Sequence, residues 1–299
     1  MADSDNELVV SELLAQSDVQ PLREYWTEEA KAEAEPIFVE VEQSAVKMLL
    51  EQDWAAEGDR LQQEPVSPQG AAAAAWDPQP QSPATGSRTE RVPNRATIPY
   101  AAVGKLYMTF DGKNYVGSAW TIAGSGVFTA GHCLFDRDGG GWADRVLFVP
   151  QFHIGQKPVG EWAATQMASL KGWTDNRDFG FDLACFKTDR PIQPSTGSLG
   201  WLANYPPNQG PYTGIGYPAA SPFDGREMWR STGNYRGGSN PKQAWNDMTG
   251  GCSGGPWAVW KDGAPYGNGV NSFRYTNDPT SMYSPHFGAG FLELWNWIK

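Results

Sequence analysis

The chain has 299 residues, 34 Asp and Glu against 23 Lys and Arg, a formal net charge of −11, 34 Gly, 23 Pro, 14 Trp and three Cys. That length holds one or two domains with a proper hydrophobic core, and the acidic balance argues against nucleic acid or an anionic membrane surface as the main partner. Three Cys exclude a disulfide scaffold, no run approaches the roughly 20 apolar residues of a membrane span, and the Gly, Pro and Trp content favours a turn-rich β protein.

The charge is unevenly spread: residues 1–91 hold 19 acidic and 6 basic side chains, while residues 92–299 hold 15 and 17, together with every Cys and His. The start, Met1-Ala-Asp-Ser-Asp-Asn-Glu, shows neither the basic nor the apolar region of a signal peptide. Either a leader was removed before this numbering or export does not use one. From Pro21 to Trp54 the density of Glu, Ala and Lys, with Val39, Val41, Val46, Leu49 and Leu50 as an apolar face, predicts helix. Seven prolines and a run of five alanines between Pro65 and Pro99 are linker composition. Arg88, Arg91 and Arg95 within it are sites where a protease can nick the chain. The expected division is an acidic, partly helical region (1–64), a Pro/Ala/Gln-rich linker with processing near Arg88 or Arg91 (65–98), and a β domain (99–299).

Short β-type runs follow at 103–110, 114–122, 126–130, 146–149, 183–186 and 258–260, separated by Gly- and Asp-rich turns, and helix is expected only at 291–299. Such spacing suggests a barrel or sandwich, the last helix docking on the second barrel. Asp136-Arg137-Asp138-Gly139 reads as a hairpin turn rather than a calcium loop, and His153 and His286 lack the neighbours of a zinc site, so no metal is expected.

Three segments carry chemistry. Thr129-Ala130-Gly131-His132-Cys133 sets a histidine at a strand end; Asp182-Leu183-Ala184-Cys185-Phe186 sets an acid before an apolar strand; Gly250-Gly251-Cys252-Ser253-Gly254-Gly255-Pro256 sets a serine in a glycine-rich turn. A serine hydroxyl needs a base to take its proton, and the base needs an acid to fix its tautomer. Glycines beside the serine let backbone N–H groups face a developing oxyanion.

These segments, in the order His, Asp, Ser, resemble the signatures of chymotrypsin/trypsin-like serine peptidases. Gly214-Ile215-Gly216-Tyr217-Pro218 and the closing helix are most similar to the bacterial branch containing glutamyl endopeptidases. The resemblance covers residues 92–299 and implies an all-β fold of two six-stranded antiparallel barrels with the triad between them. It implies Ser253 as nucleophile, His132 as base, Asp182 as orienting acid (in preference to Asp175 and Asp178), and the N–H groups of Gly251 and Ser253 as oxyanion hole, with no cofactor. Tyr25-Trp26-Thr27 and Ala34-Glu35-Pro36 more weakly resemble bacterial pro-segments. Cys252 stands where many relatives carry the Asp of the zymogen switch, which excludes that device. Cys133 lacks its usual partner near Gly117, Ser118 and Ala119; a Cys133–Cys185 bridge stays open. The pocket implied by the resemblance contains Asp247, Asn271, Ser272 and Arg274. Asn271 replaces the histidine that recognises acidic side chains, whereas Asp247 favours Arg or Lys before the scissile bond and Arg274 argues the opposite way. The expectation is a secreted, monomeric, zymogen-like serine endopeptidase acting on protein or peptide substrates, without nucleic acid or membrane. The alternatives are a catalytically silent protein-binding relative, an acidic-residue-specific endopeptidase, or residues 1–91 as a separate binding module.

Overall fold

A computed structural model describes residues 2–42, 58–70, 76–136 and 139–299. Six strands of the first half close into an antiparallel barrel. Val103–Phe110 pairs with Lys113–Ala123 and Arg145–Pro150, and Gly126–Thr129, Ala184–Thr188 and Trp162–Leu170 complete the ring. The barrel closes because its apolar runs are long and its strands are buried along most of their length, several of them on both faces. Leu106, Met108, Val127, Phe148 and Phe186 form the interior and are all but inaccessible. Phe135–Asp136 pairs with Gly141–Trp142 as the expected hairpin, whose tip at 137–138 lies outside the described residues.

In the second half the strands divide over two sheets. One holds Gly200–Ala203, Tyr212–Gly216, Trp229–Gly233, Pro256–Lys261 and Ala264–Val270; the other holds Tyr235–Gly237, Lys242–Trp245, Phe273–Tyr275 and Ser281–Ser284. The helix Ala289–Ile298 buries Phe291, Leu294 and Ile298, spaced one turn or two apart on one face. It does not dock on the second unit alone. Ile298 lies against Gly126, the Cys185 thiol faces the Leu294 carbonyl (3.9 Å), and Phe291 stacks on Phe287 (centroids 4.0 Å), so the helix seals the first barrel.

The N-terminal region differs from the helix expected over 21–54. Gln16–Tyr25 and Glu28–Ala32 are helical, but Glu35–Pro36 and Val39–Val41 are strands; residues 43–57 lie outside the described residues. Pro36 cannot continue a helix, and Val39-Glu40-Val41 alternates with the period of a strand. The linker is likewise laid on the fold. Just ahead of it Leu61–Gln63 pairs with Gly200–Ala203, and within it Ser87–Arg91 pairs with Trp229–Gly233 as an edge strand, with Arg88 and Arg91 exposed. Proline-rich sequence has too little apolar surface to fold alone, but borrows order by adding to existing sheet edges.

Candidate active site

His132 lies in the short helical turn Gly131–Cys133 immediately after the strand Gly126–Thr129, and Asp182 ends the turn Phe179–Phe181 just before the strand Ala184–Thr188. These two strands are neighbours in the barrel, with Ala184 opposite Thr129, so the register brings base and acid together. The Asp182 carboxylate is fully buried and accepts from the His132 backbone N–H (2.7 Å), from His132 Nδ1 (2.9 Å) and from Ser272 Oγ (2.5 Å). A buried carboxylate needs such donors, and these three leave His132 Nε2 as the free nitrogen of the ring. Burial works against protonation of His132, but the Asp182 carboxylate outweighs it and pushes the imidazole well above its ordinary range. Trp173 stands against the ring, with centroids 6.4 Å apart.

Ser253 arrives from the other half and is fully buried. Its loop is riveted to the first barrel by Ser118. The Ser118 N–H donates to Ser253 O (2.7 Å), and its Oγ donates to Gly251 O (2.9 Å) while accepting from the Tyr217 N–H (2.9 Å). The loop demands glycine. Gly251 has φ +95° and Gly254 φ +80°; a Cβ on Gly254 would lie 1.9 Å from Thr129 Oγ1 and 2.5 Å from Ser118 O. In this conformation the Gly251 N–H points into the cleft, where it donates to the carbonyl of Ile37 (2.9 Å). Ser253 Oγ donates to that same carbonyl (3.1 Å).

The four pocket candidates separate. Ser272 belongs with the acid. Asn271 is buried behind the serine loop, where its side-chain oxygen accepts from Asn246 Nδ2 (3.1 Å) and Trp257 Nε1 (2.9 Å). Its amide donates to Ile215 O (3.3 Å) and Cys252 O (3.0 Å), so it ties down the loop and has no polar atom left for a ligand. Asp247 is exposed, and its carboxylate accepts from Ser87 Oγ (3.0 Å), Ser231 Oγ (3.2 Å) and Thr89 Oγ1, so it lies against the edge strand Ser87–Arg91 and is not brought together with Asp182 and Ser272. Arg274 remains at the cleft, with Nε and Nη2 both donating to Glu40 Oε1 (2.9 and 2.7 Å) and its guanidinium 4.7 Å from the Phe38 ring. All three cysteines are buried and free, so the Cys133–Cys185 bridge is not formed. Sequence reading missed Ser118, Trp173 and the course of residues 35–41 as strands through the cleft; the pro-segment resemblance at Ala34-Glu35-Pro36 and the Val-Glu-Val alternation were the signals for the last of these.

A closed antiparallel barrel that carries a buried His–Asp pair, joined to a second β unit that carries a glycine-bounded serine, is the architecture of the chymotrypsin-like class of serine peptidase. Comparison with known proteins agrees. The protease Anisep from Arthrobacter nicotinovorans superposes with a TM-score of 0.61 at 31% identity, over 66% of this chain and 95% of that one. A thermostable serine protease, AL20, from an extremophilic microorganism gives 0.61 at 32%, over 66% and 96%. A Glu endopeptidase structure shares the fold at a TM-score of 0.59 and 21% identity, over 70% and 95%. The "Extracellular metalloprotease" of Bacillus subtilis (strain 168) is 27% identical over 179 residues, 57% of this chain; the chain spans 55% of that curated relative's length. No protein-family model matches the chain. The chain belongs to the chymotrypsin-like serine peptidases, in their bacterial branch.

Proposed function

We propose that the protein is an extracellular serine endopeptidase. In this reading Ser253 attacks the scissile carbonyl while His132 Nε2 takes its proton, and Asp182 holds His132 in the required tautomer. The N–H groups of Gly251 and Ser253 stabilise the oxyanion, each such donor contributing roughly 3 kcal/mol. His132 then protonates the leaving amine, and water releases the acyl group. The observation that carries the reading is Asp182 gathering His132 Nδ1, the His132 N–H and Ser272 Oγ in a fully buried site, with the Gly251 N–H on a carbonyl beside Ser253 Oγ. A silent binding relative has no use for that arrangement. Among the described residues, no helix is long and apolar enough to cross a membrane. Residues 1–64 are then a pro-segment, 65–98 a linker processed near Arg88 or Arg91, and 99–299 the peptidase domain.

Asp247 engaged by Ser87, Thr89 and Ser231, together with Arg274 donating Nε and Nη2 to one Glu40 oxygen at the cleft, favours the second reading, an acidic side chain in the cleft, over the Arg/Lys preference. The test is hydrolysis of a peptide panel varying one residue before the scissile bond, after limited proteolysis of the N-terminal region. Hydrolysis that Ser253→Ala abolishes is expected, with Glu preferred over Arg or Lys and Asp247→Asn leaving the ratio unchanged. Hydrolysis surviving Ser253→Ala overturns the mechanism; a preference for Arg abolished by Asp247→Asn restores the basic pocket.

A further inference from the structure

Residues 35–41 cross the cleft between its two edges. Glu35 and Pro36 pair with Tyr115 and Val116 of the first barrel, and the Ile37 N–H donates to Val116 O (2.9 Å). Val39, Glu40 and Val41 pair with Phe273, Arg274 and Tyr275 on the other side, and the Thr276 N–H donates to Val41 O (3.1 Å). Between them the Ile37 carbonyl takes both the Gly251 N–H and the Ser253 hydroxyl, and Phe38 lies against Gly250 beneath the Arg274 guanidinium.

Both pairings are parallel, whereas the cleft strands pair antiparallel with their neighbours in the sheets. A peptide running the other way would meet both edges antiparallel, which is the slightly stronger pairing and a familiar way for an extended peptide to add to a sheet edge. Direction matters chemically. One side of a scissile carbonyl stays on the serine as the acyl group, and the other carries the nitrogen that must receive a proton from the base. Reversing the strand exchanges them. The serine is also turned away from its base: its proton goes to Ile37 O, and His132 Nε2 is buried with no hydrogen-bond partner among the described residues.

Building on the peptidase reading, we propose that residues 35–41 are an intramolecular inhibitor laid through the cleft in the direction opposite to a substrate, with the Ile37 carbonyl filling the oxyanion hole, so that the covered enzyme is silent and does not cut its own Ile37–Phe38 bond. The segment is held from its N-terminal side by the first barrel. Arg23 pairs with Asp189 (2.6 Å), the Tyr25 hydroxyl donates to Asn114 Oδ1 (2.8 Å), Trp26 is buried against Tyr107 (centroids 5.4 Å), and Lys31 pairs with Glu161 (3.3 Å). None of these grips depends on the linker, so a nick near Arg88 or Arg91 leaves them in place. On the far side Val39 and Val41 pack on the aromatic cluster of Trp173, Phe179, Phe273, Tyr275 and Tyr283.

The test uses the full chain, wild type and Val39→Asp/Val41→Asp, which puts two carboxylates against that aromatic cluster without touching the triad. The rate of labelling by a fluorophosphonate probe is followed, with Ser253→Ala as blank and thermal melting as the check of folding. At least about tenfold faster labelling of the variant is expected, since one decade corresponds to about 1.4 kcal/mol and two carboxylates at half-buried positions against an aromatic cluster cost at least that. Equal, rapid labelling of both overturns the inhibitor while leaving the peptidase reading intact. If neither labels although both melt cooperatively, the peptidase reading falls and takes this proposal with it. Should the double variant fail to fold, Glu40→Arg serves in its place, because it replaces the Arg274 ion pair with a repulsion at an exposed position. A synthetic peptide of residues 33–42 added to the opened variant should slow labelling and be recovered intact. Its cleavage between Ile37 and Phe38 would overturn the reversed direction.

Discussion

Asp182→Asn is the substitution that most sharply separates the proposed triad from a merely structural acid. The carboxylate accepts three hydrogen bonds, from the His132 N–H, His132 Nδ1 and Ser272 Oγ. A carboxamide keeps one acceptor oxygen and replaces the other with a donor. If the oxygen stays on the His132 N–H, the NH₂ faces Nδ1, which must then accept. The ring proton moves to Nε2, and the nitrogen that should take the serine proton becomes a donor. That exchange costs about 10⁴-fold in kcat in a Ser-His-Asp peptidase, roughly 5 kcal/mol at 1.36 kcal/mol per decade. If the amide turns the other way, a buried N–H is left facing a donor, at about 1–3 kcal/mol of stability. Asp178 offers the contrast: its Oδ1 caps the Gly180 N–H (2.8 Å), a bond an amide oxygen can keep, so Asp178→Asn should change kcat less than about threefold. Both are measured as peptide hydrolysis in the Val39→Asp/Val41→Asp background. Asp182→Asn retaining more than about 10% of kcat, or Asp178→Asn falling as far, would refute the assignment. The pH dependence of folding gives an independent check. With the folded pKa of His132 raised, its contribution is fully present below about pH 6.5 and is lost as pH climbs through the folded value, so Asp182→Asn should flatten the alkaline limb of the stability curve.

Gly254→Ala should both unfold more easily and lose hydrolysis, because the added Cβ meets Thr129 Oγ1 and a backbone carbonyl at a φ of +80°. A cost of at least about 2–3 kcal/mol, or roughly 5–10 °C in Tm, is expected by calorimetry, and a change within 2 °C would show that the loop relaxes freely. His286 is held to a pKa of about 3, first by burial and then by Lys242. Its neutral ring contributes stability above about pH 6.5 that is lost as pH falls toward that value, so His286→Gln should make stability fall less steeply between those limits in chemical denaturation; identical slopes would contradict it.

What was legible in the sequence and what was not divide along a physical line. His132, Asp182 and Ser253 sit in local contexts whose requirements are written in adjacent residues: glycines that permit positive φ, and strand ends that fix where a side chain emerges. The first barrel was legible for the same reason, since its runs bury a regular set of apolar side chains. The pocket was not, because a residue's distance from the serine along the chain does not say which way a loop side chain turns. Asp247 faces outward since Ser87, Thr89 and Ser231 supply three hydroxyl donors there, and two of these come from a linker some 160 residues away in sequence. Residues 35–41 were hidden for a further reason. Their composition is that of an acidic helix, and nothing local opposes this reading except Pro36 and one Val-Glu-Val alternation. What makes them a strand is the pair of open edges at Tyr115–Val116 and Phe273–Tyr275, which exist only once both halves of the fold have assembled. The direction in which the segment runs is set more remotely still, by the two helices and the turn between them, which anchor Arg23, Trp26 and Lys31 to the first barrel before the chain reaches the cleft. The same edges that would hold a substrate therefore also give the chain its inhibitor, and only the order in which it visits them distinguishes the two.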